Sequence, residues 1–167
     1  GDRYTAWCHP MVVAPKPGGG IRLTVDLTKL NSQVRRAVHT TRTPMDAVSD
    51  RTPGAKFFTT LDARTGYWQV ELAEESRDLT TFITPFGRFR YTRGPMGFIG
   101  TGDTYGLQGD LAMNGIKQTK KIVDDILVED VTFEEHVGRV RTVLDRCRKF
   151  GITLNPHKFK FGENRVK

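Results

Sequence analysis

The chain has 167 residues, with 26 Lys and Arg against 19 Asp and Glu and a formal net charge of +7. That length suits about one domain with a core of ordinary size, and the basic balance favours a polyanionic partner such as nucleic acid. Two cysteines without metal-ligand spacing argue against a disulfide scaffold or a thiolate cage, and no apolar run resembles a membrane span or a signal peptide.

In chain order, residues 11–14 read as a short strand and residues 21–27 as a second. Pro15-Lys16-Pro17-Gly18-Gly19-Gly20 forms a flexible hairpin tip between them. A short helix is predicted over Pro44–Ser49, with Thr43 as cap and Pro44 at its first position. Phe57, Thr59 and Leu61 alternate with Phe58, Thr60 and Asp62, which predicts a strand ending at Asp62. Arg64-Thr65-Gly66 then turns the chain, and residues 68–72 resume an extended pattern. Residues 80–83 and 88–92 flank Pro85-Phe86-Gly87 as the arms of a hairpin, and residues 102–114 read as a helix stopped by Asn114-Gly115. Apolar runs on both sides of Asp124-Asp125 predict two strands joined by a tight turn that carries both carboxylates. Phe133, Val137, Val140, Leu144 and Cys147 recur at helical spacing, with a capping box at Thr132 and Glu135 and a stop at Gly151. Strands interleaved with helices in this way fit an α+β fold, a sheet covered on one face by helices.

Two ionised carboxylates held together at a turn repel unless a cation compensates them. A solvated Asp-Asp turn is the plainer reading of that pair alone. Asp62, at the end of another strand, could meet the turn, and carboxylate oxygens of this kind suit Mg²⁺ completed by substrate phosphates. Lys16 and Arg22 flank the glycine tip, where cations could close over a triphosphate or stand solvated beside a turn. Arg88, Arg90 and Arg93 alternate with aromatic and polar neighbours, as in a template-binding strand or any half-buried one. Arg139, Arg141, Arg146, Arg148 and Lys149 read as a solvated helix face, His136 as a surface or capping residue, Trp68 as core and Asp26 as structural.

Six blocks, residues 10–16, 21–31, 58–69, 82–98, 122–127 and 151–161, together resemble the fingers and palm of a reverse transcriptase from a gypsy-type LTR retrotransposon or related retroelement polyprotein. The resemblance runs from about residue 7 to the end. It implies that residues 1–167 form the fingers and palm of a right-hand polymerase, an antiparallel sheet with helices on one face, cut from a polyprotein before its thumb. It further implies RNA-directed DNA polymerase activity, with two metal ions assisting nucleotidyl transfer from a deoxynucleoside triphosphate to a primer 3′-hydroxyl. The matching positions make Asp62, Asp124 and Asp125 catalytic, and Asp62, Asp124, Asp125 and the Ala63 carbonyl ligands of Mg²⁺, with Mn²⁺ as a substitute. Lys16, Arg22, Tyr67, Met96 and Gly97 would bind the nucleotide, Tyr67 excluding a 2′-hydroxyl. Ile122 and Val123 would position the primer, and Arg88 and Arg90 the template. Implied partners are an RNA or DNA template with primer, deoxynucleoside triphosphates, and RNase H and integrase regions of the same polyprotein, in the cytoplasm within virus-like particles.

Two departures stand out. Ile122 replaces the aromatic residue usual before Val-Asp-Asp, and Ile99-Gly100-Thr101-Gly102-Asp103-Thr104-Tyr105 replaces a helix start that more often contains Ser/Ala-Pro. Rival readings are an RNA-dependent RNA polymerase, against which Tyr67 and Val-Asp-Asp argue, and a decayed or domesticated RNA-binding domain, which Ile122 supports.

Overall fold

The computed structural model describes residues 5–15, 19–40 and 43–166. The backbone gathers into two units that alternate along the chain: Gly1–Val38 with Tyr67–Thr104, and His39–Gly66 with Tyr105–Lys167. Among the described residues no helix is long and apolar enough to cross a membrane.

In the first unit β1 (Met11–Pro15) pairs antiparallel with β2 (Ile21–Val25), from Met11↔Val25 to Pro15↔Ile21. The second strand stops short of the expected Leu27 because Asp26 turns the chain. Its carboxylate accepts from the Thr28 amide at 2.9 Å and from the Thr28 hydroxyl, starting α1 (Thr28–Asn31). Asp26 is therefore structural, as expected. Val25, Leu27 and Leu30 are buried in a cluster completed by Met11, Leu79, Phe82 and Phe98.

Residues 68–72 depart from the expected extended run. Gly66–Gln69 coils into a single 3₁₀ turn, and Trp68 is 54% exposed instead of lying in the core. A few alternating residues do not fix a strand without a partner along their length, and among the described residues this segment pairs through the bridge Glu71↔Arg93, with the Leu72 amide donating to the Thr92 carbonyl and the Gly94 amide to the Val70 carbonyl. Beyond α3 (Glu74–Arg77), β4 (Phe82–Thr84) and β5 (Gly87–Phe89) form the predicted hairpin with shorter arms. The long helix α4 (Ile99–Met113) begins three residues before the expected Gly102, and Asn31 Oδ1 accepts from the Ile99 amide at 3.0 Å to cap it.

The second unit holds one antiparallel sheet of β3 (Phe57–Asp62), β6 (Thr119–Ile122), β7 (Asp125–Asp130) and β8 (Lys160–Glu163), in the order β6-β7-β3-β8. The helix α5 (Phe133–Lys149) packs on β7 and β3, and α2 (Pro44–Ser49) starts from the predicted Thr43 capping box. The Thr132 hydroxyl caps α5 by accepting from the Glu135 amide, and Gly151 ends it at φ 69°. The buried stripe of α5 is His136, Val140, Val143 and Cys147, whereas Phe133 and Leu144 of the predicted stripe are exposed.

His136 overturns its reading as a surface or capping residue: it is 0% exposed. Its Nδ1 lies 2.9 Å from Asp130 Oδ2 and its Nε2 2.6 Å from Thr59 Oγ1. The Gly162 amide donates to Thr59 Oγ1 at 3.1 Å, and Arg139 Nε donates to Asp130 Oδ1 at 2.7 Å. An Nδ1–H tautomer lets every member of this chain find a partner and links β8, β3, α5 and β7. Arg139 is thus a partner of a buried acid and not part of a solvated face. Nothing in the spacing of α5 distinguishes a polar residue that closes such a network from one facing water.

Asp130→Ala would leave Arg139 and His136 without their acceptor and is expected to cost about 3 kcal/mol in urea unfolding. Arg148→Ala, at a side chain 87% exposed, should stay within about 0.5 kcal/mol. Equal losses for the two variants would contradict the assignment of the network.

Candidate active site

The β6–β7 hairpin closes on the pair Ile122↔Asp125, so its connecting residues are Val123 and Asp124. This corrects the expectation that both carboxylates occupy the turn: Asp124 is in it, and Asp125 is the first residue of β7. Val123 has φ 53°, a left-handed conformation that a β-branched residue adopts only under constraint. Its place at the first loop position is the one where a two-residue hairpin with a single positive φ ordinarily takes glycine.

Strand register then brings the acids together. Asp62 pairs with Asp125 at the end of the β3–β7 ladder, and directly paired residues share a face of the sheet. The Ala63 amide donates to the Asp124 carbonyl at 2.8 Å, which fixes the turn to the end of β3, and Ala63 itself is buried. Asp124 Oδ1 is buried without a hydrogen-bond partner. A Cβ on Gly66 would stand 2.9 Å from that oxygen and 2.6 Å from the Tyr105 ring, so the close approach requires glycine.

Burial raises the Asp124 pKa above the usual carboxylate value, and the charges of Asp125 and Asp62 add to the effect, with Lys121 and Lys158 opposing. Asp125 moves the same way, through partial burial and then the charge of Asp62, with Lys158 opposing. Lys121 is buried beside the turn, its Nζ 3.7 Å from Asp110 and 5.5 Å from the centre of the Tyr105 ring. Lys158 Nζ donates to Asp62 Oδ2 at 2.8 Å.

Among the described residues no group of three His, Cys, Asp or Glu side chains is arranged to hold a metal ion by itself. What is present is an all-oxygen donor set with one buried, unpartnered oxygen and mutual repulsion to relieve. That set fits a hard divalent cation that completes its shell with water and phosphate oxygens, and it does not fit a soft metal.

Elsewhere, Arg22 is exposed on β2 opposite Ala14, and Lys16 lies outside the described residues. Tyr67 is half-buried, its ring facing Gly102, where an added Cβ would lie 3.6 Å from the hydroxyl. Met96 is exposed, and Gly97 has φ 90° with its carbonyl accepting from Asn31 Nδ2 at 2.8 Å. Arg88 is exposed on β5, but Arg90 is paired with Asp78 at 2.6 Å and Glu74 at 2.9 Å. Ile122 is half-buried at the end of β6. The sequence assigns no part in the site to Lys158 or Lys121, and gives Gly66 only a place in the Arg64-Thr65-Gly66 turn. Lys158 lies in the quoted block 151–161, yet only the fold reveals its closeness to Asp62.

A family model described as reverse transcriptase (RNA-dependent DNA polymerase) matches residues 14–167. The chain belongs to the reverse transcriptase family. It is 30% identical over 142 residues to the retrovirus-related Pol polyprotein from transposon 412 of Drosophila melanogaster, a match covering 84% of this chain and 11% of that protein. It is 32% identical over 114 residues to the enzymatic polyprotein of cauliflower mosaic virus strain D/H, covering 68% and 17% respectively. The chain thus spans under a fifth of these curated relatives. Its fold is similar to that of the foamy viral protease-reverse transcriptase in complex with RNA/DNA hybrid, with TM-score 0.88 and 20% identity over 98% of this chain and 22% of that one. Prototype foamy virus protease-reverse transcriptase gives TM-score 0.85 at 23% identity, over 96% and 22%. These matches bear out the expected α+β reverse transcriptase fold and the kinship with retroelement polyproteins. Reverse transcriptases as a family work with divalent metal ions, consistent with the all-oxygen donor set.

A raised pKa means that the folded chain holds the Asp124 proton more tightly than the unfolded chain does. Ionisation of Asp124 therefore destabilises the fold, an effect absent below the ordinary value of 3.8 and growing as pH rises through the folded value. In metal-free buffer Asp124→Asn should raise the thermal midpoint at pH 7 by a few degrees and change it less at acid pH. A lowered midpoint at pH 7 would contradict this electrostatic account.

Proposed function

We propose that this chain forms the fingers and palm of an RNA-directed DNA polymerase that extends a primer 3′-hydroxyl with deoxynucleotides. The observation that carries the proposal is the pairing of Asp62 with Asp125 beside a turn that buries an unpartnered Asp124 oxygen. Asp62 and Asp124, with Asp125 adjacent and the Ala63 carbonyl as an added ligand, would hold Mg²⁺, for which Mn²⁺ can substitute. When bound, the ions neutralise triphosphate charge and lower the pKa of the attacking hydroxyl.

The protein's own part is placement. Val123, held at φ 53°, aims Asp124 toward the end of β3 and, with Ile122, supports the primer terminus. Lys16 and Arg22 grip triphosphate oxygens, Arg22 with the planar fork of a guanidinium. The Tyr67 ring takes the space a 2′-hydroxyl would need, and Met96 and Gly97 line the nucleotide pocket. Arg88 contacts the template backbone directly, whereas Arg90 reaches it only after release from Asp78 and Glu74. The template, in this proposal, is RNA or DNA, and the chain works within a polyprotein that also carries RNase H and integrase regions, in virus-like particles.

Ile122 favours a second reading, a catalytically decayed domain that retains RNA binding, since an aliphatic side chain offers no ring to a primer terminus. Primer extension on an RNA template by the full-length gene product separates the two. The polymerase should use deoxynucleotides, lose at least about a thousand-fold in rate with Asp62→Asn, and accept ribonucleotides about ten-fold better with Tyr67→Ala. Template binding with no extension by the unaltered protein would favour the decayed domain.

A further inference from the structure

The cation that Asp62 already carries comes from the chain itself. Lys158 donates to Asp62 Oδ2 at 2.8 Å from a side chain 63% exposed, while the Asp62 side chain is only 18% exposed. The backbone under this contact is fastened to the strand that bears Asp62. The Asn155 amide donates to the Asp62 carbonyl at 2.8 Å, the Arg64 amide to the Thr153 carbonyl at 2.9 Å, and Ala63 bridges Leu154. The Asn155 side chain then caps the 3₁₀ turn Pro156–Lys158 by accepting from the His157 amide at 3.1 Å, and the Lys158 amide donates to the Asn155 carbonyl at 3.2 Å. Scaffold hydrogen bonds thus fix where Lys158 begins, and only its flexible, solvent-facing stem decides where its ammonium ends.

The two lysines beside the acids differ in freedom. Lys121 is buried and engaged with Asp110, so it cannot leave. Lys158 is attracted first by its hydrogen bond to Asp62 and the Asp62 charge, then by Asp125 and Asp124, and water can replace each of these contacts.

We propose that Lys158 is the resident counter-cation of the Asp62 carboxylate, and that a divalent ion entering the acidic cluster must displace it. The proposal rests on the reading of Asp62 and Asp124 as metal ligands. An ammonium and a divalent cation at neighbouring positions of one carboxylate repel at short range, so both cannot keep their full contact with Asp62. Before a metal arrives, Lys158 offsets the repulsion among Asp62, Asp124 and Asp125. As the metal binds, the ammonium swings into solvent, and the measured metal affinity is reduced by the cost of breaking the ion pair. Lys158 is in this sense a positioning residue for the acids and a competitor of the ion.

Mn²⁺ titration of the chain, followed by the electron paramagnetic resonance signal of free Mn²⁺ at constant ionic strength, tests this. Lys158→Gln should bind Mn²⁺ at least three-fold more tightly than the unaltered chain, and Lys158→Arg, which keeps a cation on Asp62, should not. A purely structural lysine predicts the opposite order, with Lys158→Gln weaker and Lys158→Arg restored. Weaker or unchanged binding by Lys158→Gln overturns the proposal, provided that Asp62→Asn still reduces affinity. If Asp62→Asn binds Mn²⁺ as well as the unaltered chain, the metal-site reading itself fails, and the proposal fails with it.

Discussion

Repulsion among Asp62, Asp124 and Asp125 is the constraint on which the second unit depends. The acids meet because β3 and β7 are in a register that ends on Asp62↔Asp125 and because the hairpin loop sets Asp124 next to that pair. Like charges at such positions destabilise a sheet. The surroundings hold them nevertheless: the Ala63 amide fastens the turn, Gly66 leaves room for the Asp124 oxygen, and Lys121 and Lys158 supply positive charge from two sides. Strain at Val123 belongs to the same arrangement. A glycine would adopt the same backbone angle without the cost that a β-branched residue carries there.

Such a site needs a rigid base, and the polar network under the sheet provides it. Asp130, His136, Thr59 and Gly162 connect four elements through buried hydrogen bonds, while Phe57 and Phe161 pack on the imidazole and Phe133 packs on both of those rings. Lys120 and Glu129 add an ion pair between β6 and β7 that is almost wholly removed from water, with the Thr52 amide donating to the same carboxylate. Groups this deeply buried are costly unless every partner is in place, so they favour one register over its neighbours. A slip of one residue would send Asp62 to the opposite face.

The legible parts of the sequence were those in which local chemistry decides. Alternation in 57–62 gave the strand and its end at Asp62, the Thr43 capping box gave α2, and the apolar runs around Asp124 gave the hairpin. Where long-range contacts decide, local pattern is not enough. An extended run would point Trp68 away from Tyr67 and into the core, yet Gly66–Gln69 coils into a 3₁₀ turn that leaves it exposed. The face of α5 was displaced because a buried His136 is indistinguishable, by hydropathy, from a solvated one. Arg90 looked like a free cation until α3 and the following turn brought Glu74 and Asp78 beside it. Of the site, the three acids were readable from motif and spacing. Lys158, 96 residues from Asp62 in sequence, was readable only from the fold.

The proposed polymerase activity requires that Asp62 and Asp124 bind a common divalent ion. Anomalous diffraction from crystals of the chain soaked in Mn²⁺ tests it most directly. The predicted result is a peak about 2.1 Å from a carboxylate oxygen of each residue. Well-ordered carboxylates with no peak between them, or a peak held by Asp62 without Asp124, would contradict it.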